Sequence, residues 1–250
     1  MYNVICAIAK CEENYIKDWA EWHFNLGFDH IYVYDNSDND NKALKNYYNN
    51  DKLTYIPLYN DSRQGLQFIA YNDFYKNYSF DWCAFIDLDE YISIPADIET
   101  FIKSFPDDCT AIKLNWHIFG DDDMLDRDIS VPIYEAIINR KVGHSYEHNG
   151  KQIIKAGQNI EFKSSHWCQG TNAYQADYKV NNGKLFEYRL CENAWINHYI
   201  TKTLCEFIDQ KLNRTDVVFK NKSLDMGYYW AINNKTADKL EWLRERGLSG

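Results

Sequence analysis

Residues 80–92, FDWCAFIDLDEYI, are an apolar run that stops at three carboxylates, Asp87, Asp89 and Glu90. Residues 82–86 have the length and the aromatic and β-branched content of a strand buried on both faces, which requires a sheet covered by helices. The acids then fall at the strand's carboxyl end, the edge where open α/β sheets bind ligands. Asp87 and Asp89 point the same way on an extended backbone and can converge on one hard cation, while Leu88 turns inward. A metal held there could grip a diphosphate. By itself an Asp-x-Asp pair is more often a solvated turn or a helix cap, so its surroundings must decide.

The chain has room for one large domain, with 250 residues, 45% of them hydrophobic. It has no run of eighteen apolar residues and no basic N-terminal region followed by a cleavable apolar stretch, so the expected location is cytoplasmic, at most peripheral at the inner face of the membrane. Seven cysteines without CxxC spacing read as reduced, mostly buried thiols. A net charge of −10 argues against nucleic acid as a partner, and an anionic substrate would need a metal or locally gathered cations. Twenty tyrosines and eight tryptophans could stack on sugar rings, although most aromatics fill cores.

Residues 2–9 (YNVICAIA) read as a strand, 15–26 as a helix from apolar positions three and four apart, and 28–34 as a second strand ending in an acidic turn. Gly27 is placed to end the helix. Two strand–loop–helix units in succession predict a parallel sheet with right-handed crossovers. No glycine-rich phosphate loop is present, neither GxGxxG nor GxxxxGK[ST]. Further strands are expected over 53–58 and 110–119, helices over 64–78, 98–105, 202–213 and 237–246, and an antiparallel ribbon over 141–163.

Several separated segments then agree with one family. Ala9-Lys10-x-Glu12, Asp18-Trp19-x-x-Trp22-His23-x-x-Leu26-Gly27 and Tyr34-Asp35-Asn36 resemble the opening of glycosyltransferases of the family 2 and family 92 type. Gln67-x-x-Ala70-Tyr71-Asn72-Asp73 and Asp81-Trp82-x-Ala84-Phe85-Ile86-Asp87-x-Asp89-Glu90-Tyr91 resemble that group's helix and metal-binding strand end. Asn115-Trp116-x-x-Phe119-Gly120, residues 151–155, His166, His198-Tyr199-x-Thr201-Lys202, Glu206-Phe207 and Lys211 follow in the family's order, over roughly residues 3–214. The loop Asp121-Asp122-Asp123 departs from the family's small-residue loop, which leaves the acceptor open.

The resemblance implies an α/β GT-A fold: Rossmann-like, with a mostly parallel central sheet flanked by helices and a small antiparallel ribbon. It implies one domain over 1–250, with a nucleotide-binding half (1–105), an acceptor-binding half (106–215) and a C-terminal helical segment (216–250). The implied enzyme is a hexosyltransferase using Mn2+ or Mg2+ and acting with inversion. Its donor would be a UDP-hexose such as UDP-galactose or UDP-glucose, and its acceptor a glycan or lipid-linked saccharide. Asp35 would accept from the uracil imide N–H, since a carboxylate only accepts; its alternative is a turn or cap. Ala7, Lys10, Glu12, Gln67, Asp87 and Lys202 complete the expected donor contacts. Asp87, Asp89 and His198 are the expected metal ligands, set against a hydrogen-bonded core histidine for the last. An inverting transfer needs a proton acceptor, for which Asp121, Asp122 and then Glu135 are candidates against a solvated acidic loop. Lys155 and His166 are weaker phosphate or metal candidates, His23 reads as packing, and Trp116 and Trp167 could stack on an acceptor. Two rivals remain: a metal-dependent nucleotidyltransferase built on the same carboxylates, and a non-catalytic glycan-binding module.

Overall fold

The computed structural model describes residues 1–183, 191, 193–212 and 225–248. The first strand, β1 (Asn3–Ala9), is buried at every position, and its side chains divide between two apolar clusters, Ile5, Ala7 and Ala9 on one face and Val4, Cys6 and Ile8 on the other. A strand buried on both faces needs cover on both. The helix α1 (Ile16–Asn25) supplies one side with Ile16, Trp19, Ala20 and His23, and α2 (Leu66–Asn77) supplies the other with Leu66, Ala70, Tyr71 and Phe74. Each large apolar side chain so buried contributes about 1.5–3 kcal/mol before entropy is counted.

Strands β2 (His30–Asp35), β3 (Leu53–Pro57) and β4 (Trp82–Phe85) run parallel to β1 in the order β3-β2-β1-β4. After β5 (Glu90–Ser93) and α3 (Ile98–Lys103), the chain forms β6 (Ala111–Ile118), wholly buried, then α4 (Ile133–Ala136) and β7 (Gly150–Lys155). β7 lies antiparallel between β4 and β6, so β6 runs parallel to β4 again. β8 (Ala173–Gln175) and β9 (Trp195–His198) both pair in parallel with β6, and β5 closes the far edge antiparallel to β9. The expected α/β class with a mostly parallel sheet is the one observed. The expected ribbon over 141–163 is instead a single strand inserted into the sheet, because β4 and β6 each leave an edge that β7 fills.

Two indoles fasten α1 across the sheet: Trp19 and Trp22 donate from Nε1 to the carbonyls of Glu90 and Ile92, each at 2.8 Å. His23 is fully buried beside them, its Nδ1 2.8 Å from the Trp19 carbonyl and its Nε2 accepting from the Ile92 amide at 3.3 Å. Burial pushes this imidazole down to about 3, so it is neutral and structural. The C-terminal part comprises α5 (Leu204–Phe207), a π-helical turn over Ile208–Leu212, α6 (Met226–Trp230) and α7 (Ala237–Glu245). Leu204, Phe207, Tyr229 and Leu243 form its own apolar cluster, so α7 is packed on the domain. No helix among the described residues is long and apolar enough to cross a membrane.

Candidate functional site

The parallel strands β1 and β4 end side by side, and a cavity of about 340 Å³ opens there. Its rim is Ile8 and Ala9 at the end of β1, Lys10 and Glu12 just after it, and Asp87, Leu88 and Asp89 after β4. The far wall carries Trp116 of β6, Tyr146, Asn149, His166, His198 of β9, Ile200, Lys211 and Tyr228. Gln67 closes one side, projected by α2 together with Tyr71 one turn later.

The two aspartates sit in different sets of bonds. Asp87 Oδ1 accepts from Gln67 Nε2 at 2.7 Å and from the Tyr71 hydroxyl at 3.4 Å, and Oδ2 accepts from Lys151 Nζ at 2.8 Å. Asp89 Oδ2 accepts from Lys211 Nζ at 2.5 Å, while Oδ1 lies 3.5 Å from His198 Nε2. Burial opposes the Asp89 charge, but the Lys211 ammonium and His198 beside it hold its carboxyl well below the usual range. Between them Glu90 is fully buried, its Oε2 accepting from the Asp87 amide and its Oε1 without a hydrogen-bond partner, 3.8 Å from Lys151 Nζ. Burial above all pushes the Glu90 carboxyl well above its usual range, against the pull of Lys151. Two lysines, Lys151 and Lys211, thus stand against a cluster of three acids.

One pair of donor atoms is spaced so that a divalent ion could share it. Asp89 Oδ1 and His198 Nε2, 3.5 Å apart, are near the separation of about 3 Å expected for neighbouring ligands on an octahedral ion. His198 Nδ1 is buried without a hydrogen-bond partner, and burial holds the ring below its ordinary pKa against the opposing pull of the Asp89 carboxylate. Among the described residues no three His, Cys, Asp or Glu side chains converge as a preformed metal centre, because Asp87 is turned onto Gln67 and Lys151.

The structure brings Lys10, Glu12, Gln67, Asp87, Asp89, Trp116, His166 and His198 to the cavity and places the other expected residues elsewhere. Lys202 stands one shell behind, its Nζ 2.9 Å from Glu12 Oε2 and 3.4 Å above the Tyr15 ring. Ala7 is sealed in β1; the backbone that reaches the cavity begins one residue later, at Ile8. Asp35 lies outside the cavity lining: its Oδ1 accepts from Ser37 N and Oγ and its Oδ2 from Leu44 N, so it is a buried turn carboxylate. None of the three expected proton acceptors reaches the cavity. Asp121 is fully buried on Lys239 Nζ at 2.6 Å, Asp122 accepts from the backbone N–H of Ile138 and Asn139, and Glu135 lies on α4 outside the lining. Lys155 is exposed at the opposite end of β7, 6.0 Å from the Trp82 ring centroid. Trp167 lines a separate groove with Asn159 and Lys163, whereas Trp116 packs on His198 at 4.3 Å inside the cavity. Lys151 and Lys211 carry charge roles that their sequence positions did not reveal.

The sequence model of glycosyltransferase family 92 matches residues 5–225, most of the chain. The chain belongs to glycosyltransferase family 92. No curated protein matches it. Among solved structures, residues 1–349 of TarS from S. aureus are 16% identical with a TM-score of 0.40, the match covering 62% of this chain and 47% of that one. HddC from Yersinia pseudotuberculosis is 15% identical with a TM-score of 0.35, covering 79% of this chain and 77% of that one. The chain thus spans about half the length of the first of these.

Proposed function

We propose that this member of family 92 transfers a hexose, with inversion, from a UDP-hexose to a glycan or lipid-linked saccharide. The observation that carries the reading is that four lysines gather among the acids of one cavity in a chain whose net charge is −10: Lys10 and Lys211 line it beside Glu12, Asp87 and Asp89, and Lys151 and Lys202 stand directly behind. Such a cavity, at the carboxyl ends of parallel strands, suits a diphosphate that has no glycine-rich loop to cradle it. The family supports a nucleotide-sugar donor; with Asp35 committed to its own turn, uridine rests on the resemblance alone.

Asp89 and His198 would hold Mn2+ or Mg2+, which when bound supplies Lewis-acid neutralisation of the departing diphosphate. The chain's own contributions follow from geometry. Gln67, Tyr71 and Lys151 fix the Asp87 carboxylate on three bonds, so it can accept from a ribose hydroxyl without reorganising. Trp116 presents an apolar ring to the cavity against which a sugar can lie.

The test is a panel of nucleotide-sugars incubated with Mn2+ and read by mass spectrometry. The wild-type chain is expected to release nucleoside diphosphate from one or two UDP-hexoses, and Asp89→Asn to lose at least 100-fold while still unfolding cooperatively. Release of pyrophosphate from a sugar phosphate and nucleoside triphosphate would instead mark a nucleotidyltransferase, and full activity in Asp89→Asn would refute the site.

A further inference from the structure

Deepening that reading, and resting on it, we propose that Lys211 is a resident cation that closes the Asp89 position to a divalent ion until a nucleotide diphosphate draws its ammonium away. Lys211 Nζ lies 2.5 Å from Asp89 Oδ2 and donates at 2.7 Å to the Ile200 carbonyl. The other oxygen of the same carboxylate faces His198 Nε2. An ammonium on one oxygen and a divalent ion on the other would repel across a few ångströms in a site where Asp89 is only 11% exposed and water screens little. The two cations therefore compete for one carboxylate.

The two lysines at the acid cluster differ in what they can do. Lys151 is held by Asp87 on one side and approached by Glu90 on the other, and it does not line the cavity. Lys211 does line it, on a flexible four-carbon stem. It projects from the π-helical turn Ile208–Leu212, an element found mostly as single turns and often at functional sites. A diphosphate entering beside Asp89 offers that ammonium more negative charge than the one carboxylate it leaves. Asp89 Oδ2 is then released, and the ion can join Asp89 and His198. Because binding free energies are reciprocal, nucleotide and metal promote each other's binding to the same degree.

The decisive measurement is Mn2+ binding to the full chain without nucleotide, by calorimetry and by electron paramagnetic resonance of free Mn2+, since UDP itself chelates the ion. Wild type is expected to bind Mn2+ alone weakly and Lys211→Met at least 10-fold more tightly, with the gain abolished in Lys211→Met/Asp89→Asn. UDP affinity in the absence of metal is expected to fall at least 10-fold in Lys211→Met. Lys211→Gln, which keeps a polar side chain of similar length, should show the same directions if the methionine variant folds poorly. Equal Mn2+ affinity of the wild type and both Lys211 variants without nucleotide would overturn the inference. If wild type with Mn2+ bound no nucleoside diphosphate, the donor reading would fall, while the nucleotide-free comparison would still decide the role of Lys211.

Discussion

Glu206 shows how much a single side chain does to hold the cavity's outer wall. It closes a capping box at the start of α5, accepting from the Thr203 amide and hydroxyl, while its other oxygen accepts from the Tyr15 hydroxyl at 2.6 Å and from Arg127 at 3.0 Å. Burial alone would raise this carboxyl, but the Tyr15, Arg127 and Thr203 contacts outweigh it and lower it below the ordinary glutamate value. A carboxylate whose folded pKa is depressed contributes stability that is full above its unfolded pKa, about 4.3, and is lost as pH falls through the folded value. Urea midpoints from pH 7 to pH 3 should therefore drop more steeply below about pH 4.3 in wild type than in Glu206→Gln. The variant should already be less stable at pH 7; parallel curves would show that Glu206 does not contribute this way. One residue before the N-cap Thr203, Lys202 adopts φ +58°, a conformation costing a side-chain-bearing residue about 1 kcal/mol or more. Its ion pair with Glu12 and its place over Tyr15 hold it there.

At the scale of elements, the part of the fold that sequence could show is the part built from neighbours. β1, α1, β2, β3, α2 and β4 each carry a pattern complete within a dozen residues, and their observed bounds fall within about two of those expected. β5 (EYIS), β8 (AYQ) and β9 (WINH) are too short to show a period, and β5 pairs with a strand far along the chain, so no local signal marks them. The same distance hides the charge pairing of the site: Asp89 and Asp87 were legible as strand-end acids, but Lys211 meets Asp89 from 122 residues away and Lys151 meets Asp87 from 64. β7 is the element on which the site most depends, since it carries Lys151 and its Gly150 carbonyl lies 3.3 Å from His166 Nδ1. Gly150 is there for closeness: a Cβ at that position would stand 1.9 Å from the Leu114 carbonyl oxygen and 2.9 Å from its carbon, atoms of the backbone that cannot turn aside. Gly150→Ala should therefore separate β7 from β6, lowering stability by several kcal/mol or preventing folding. Thermal unfolding of Gly150→Ala beside an alanine variant of Gly143, whose Cβ would meet nothing within 4 Å, checks this. The second change should cost much less, chiefly through its positive φ.

Over the whole molecule, the acidic loop after β6 is a fastening for the C-terminal helices. Asp121 is expected at the acceptor side because it follows a strand end across from the strand that carries Asp87 and Asp89. What diverts it is Lys239, 118 positions later, whose ammonium meets it at 2.6 Å with neither side chain exposed. The Tyr229 hydroxyl bonds the same carboxylate oxygen, and Asn233 accepts from the Asp121 amide while donating to Thr201 beside the cavity wall. α6 and α7 are thereby tied to the loop that precedes α4 and to the segment that follows β9. A buried ion pair of this kind adds little over a well-packed apolar pair, but breaking it strands a charge and costs about 3–5 kcal/mol. Lys239→Met should lower the melting temperature by roughly 6–20 °C for a chain of this size. Asp121→Asn/Lys239→Met, which removes both charges, should recover much of that loss. If Asp121 instead took the acceptor's proton, Asp121→Asn would abolish transfer even well below its melting temperature. The clasp predicts that kcat measured there stays within about tenfold of wild type, less than the 10²–10⁴-fold typical of losing a general base, while stability falls.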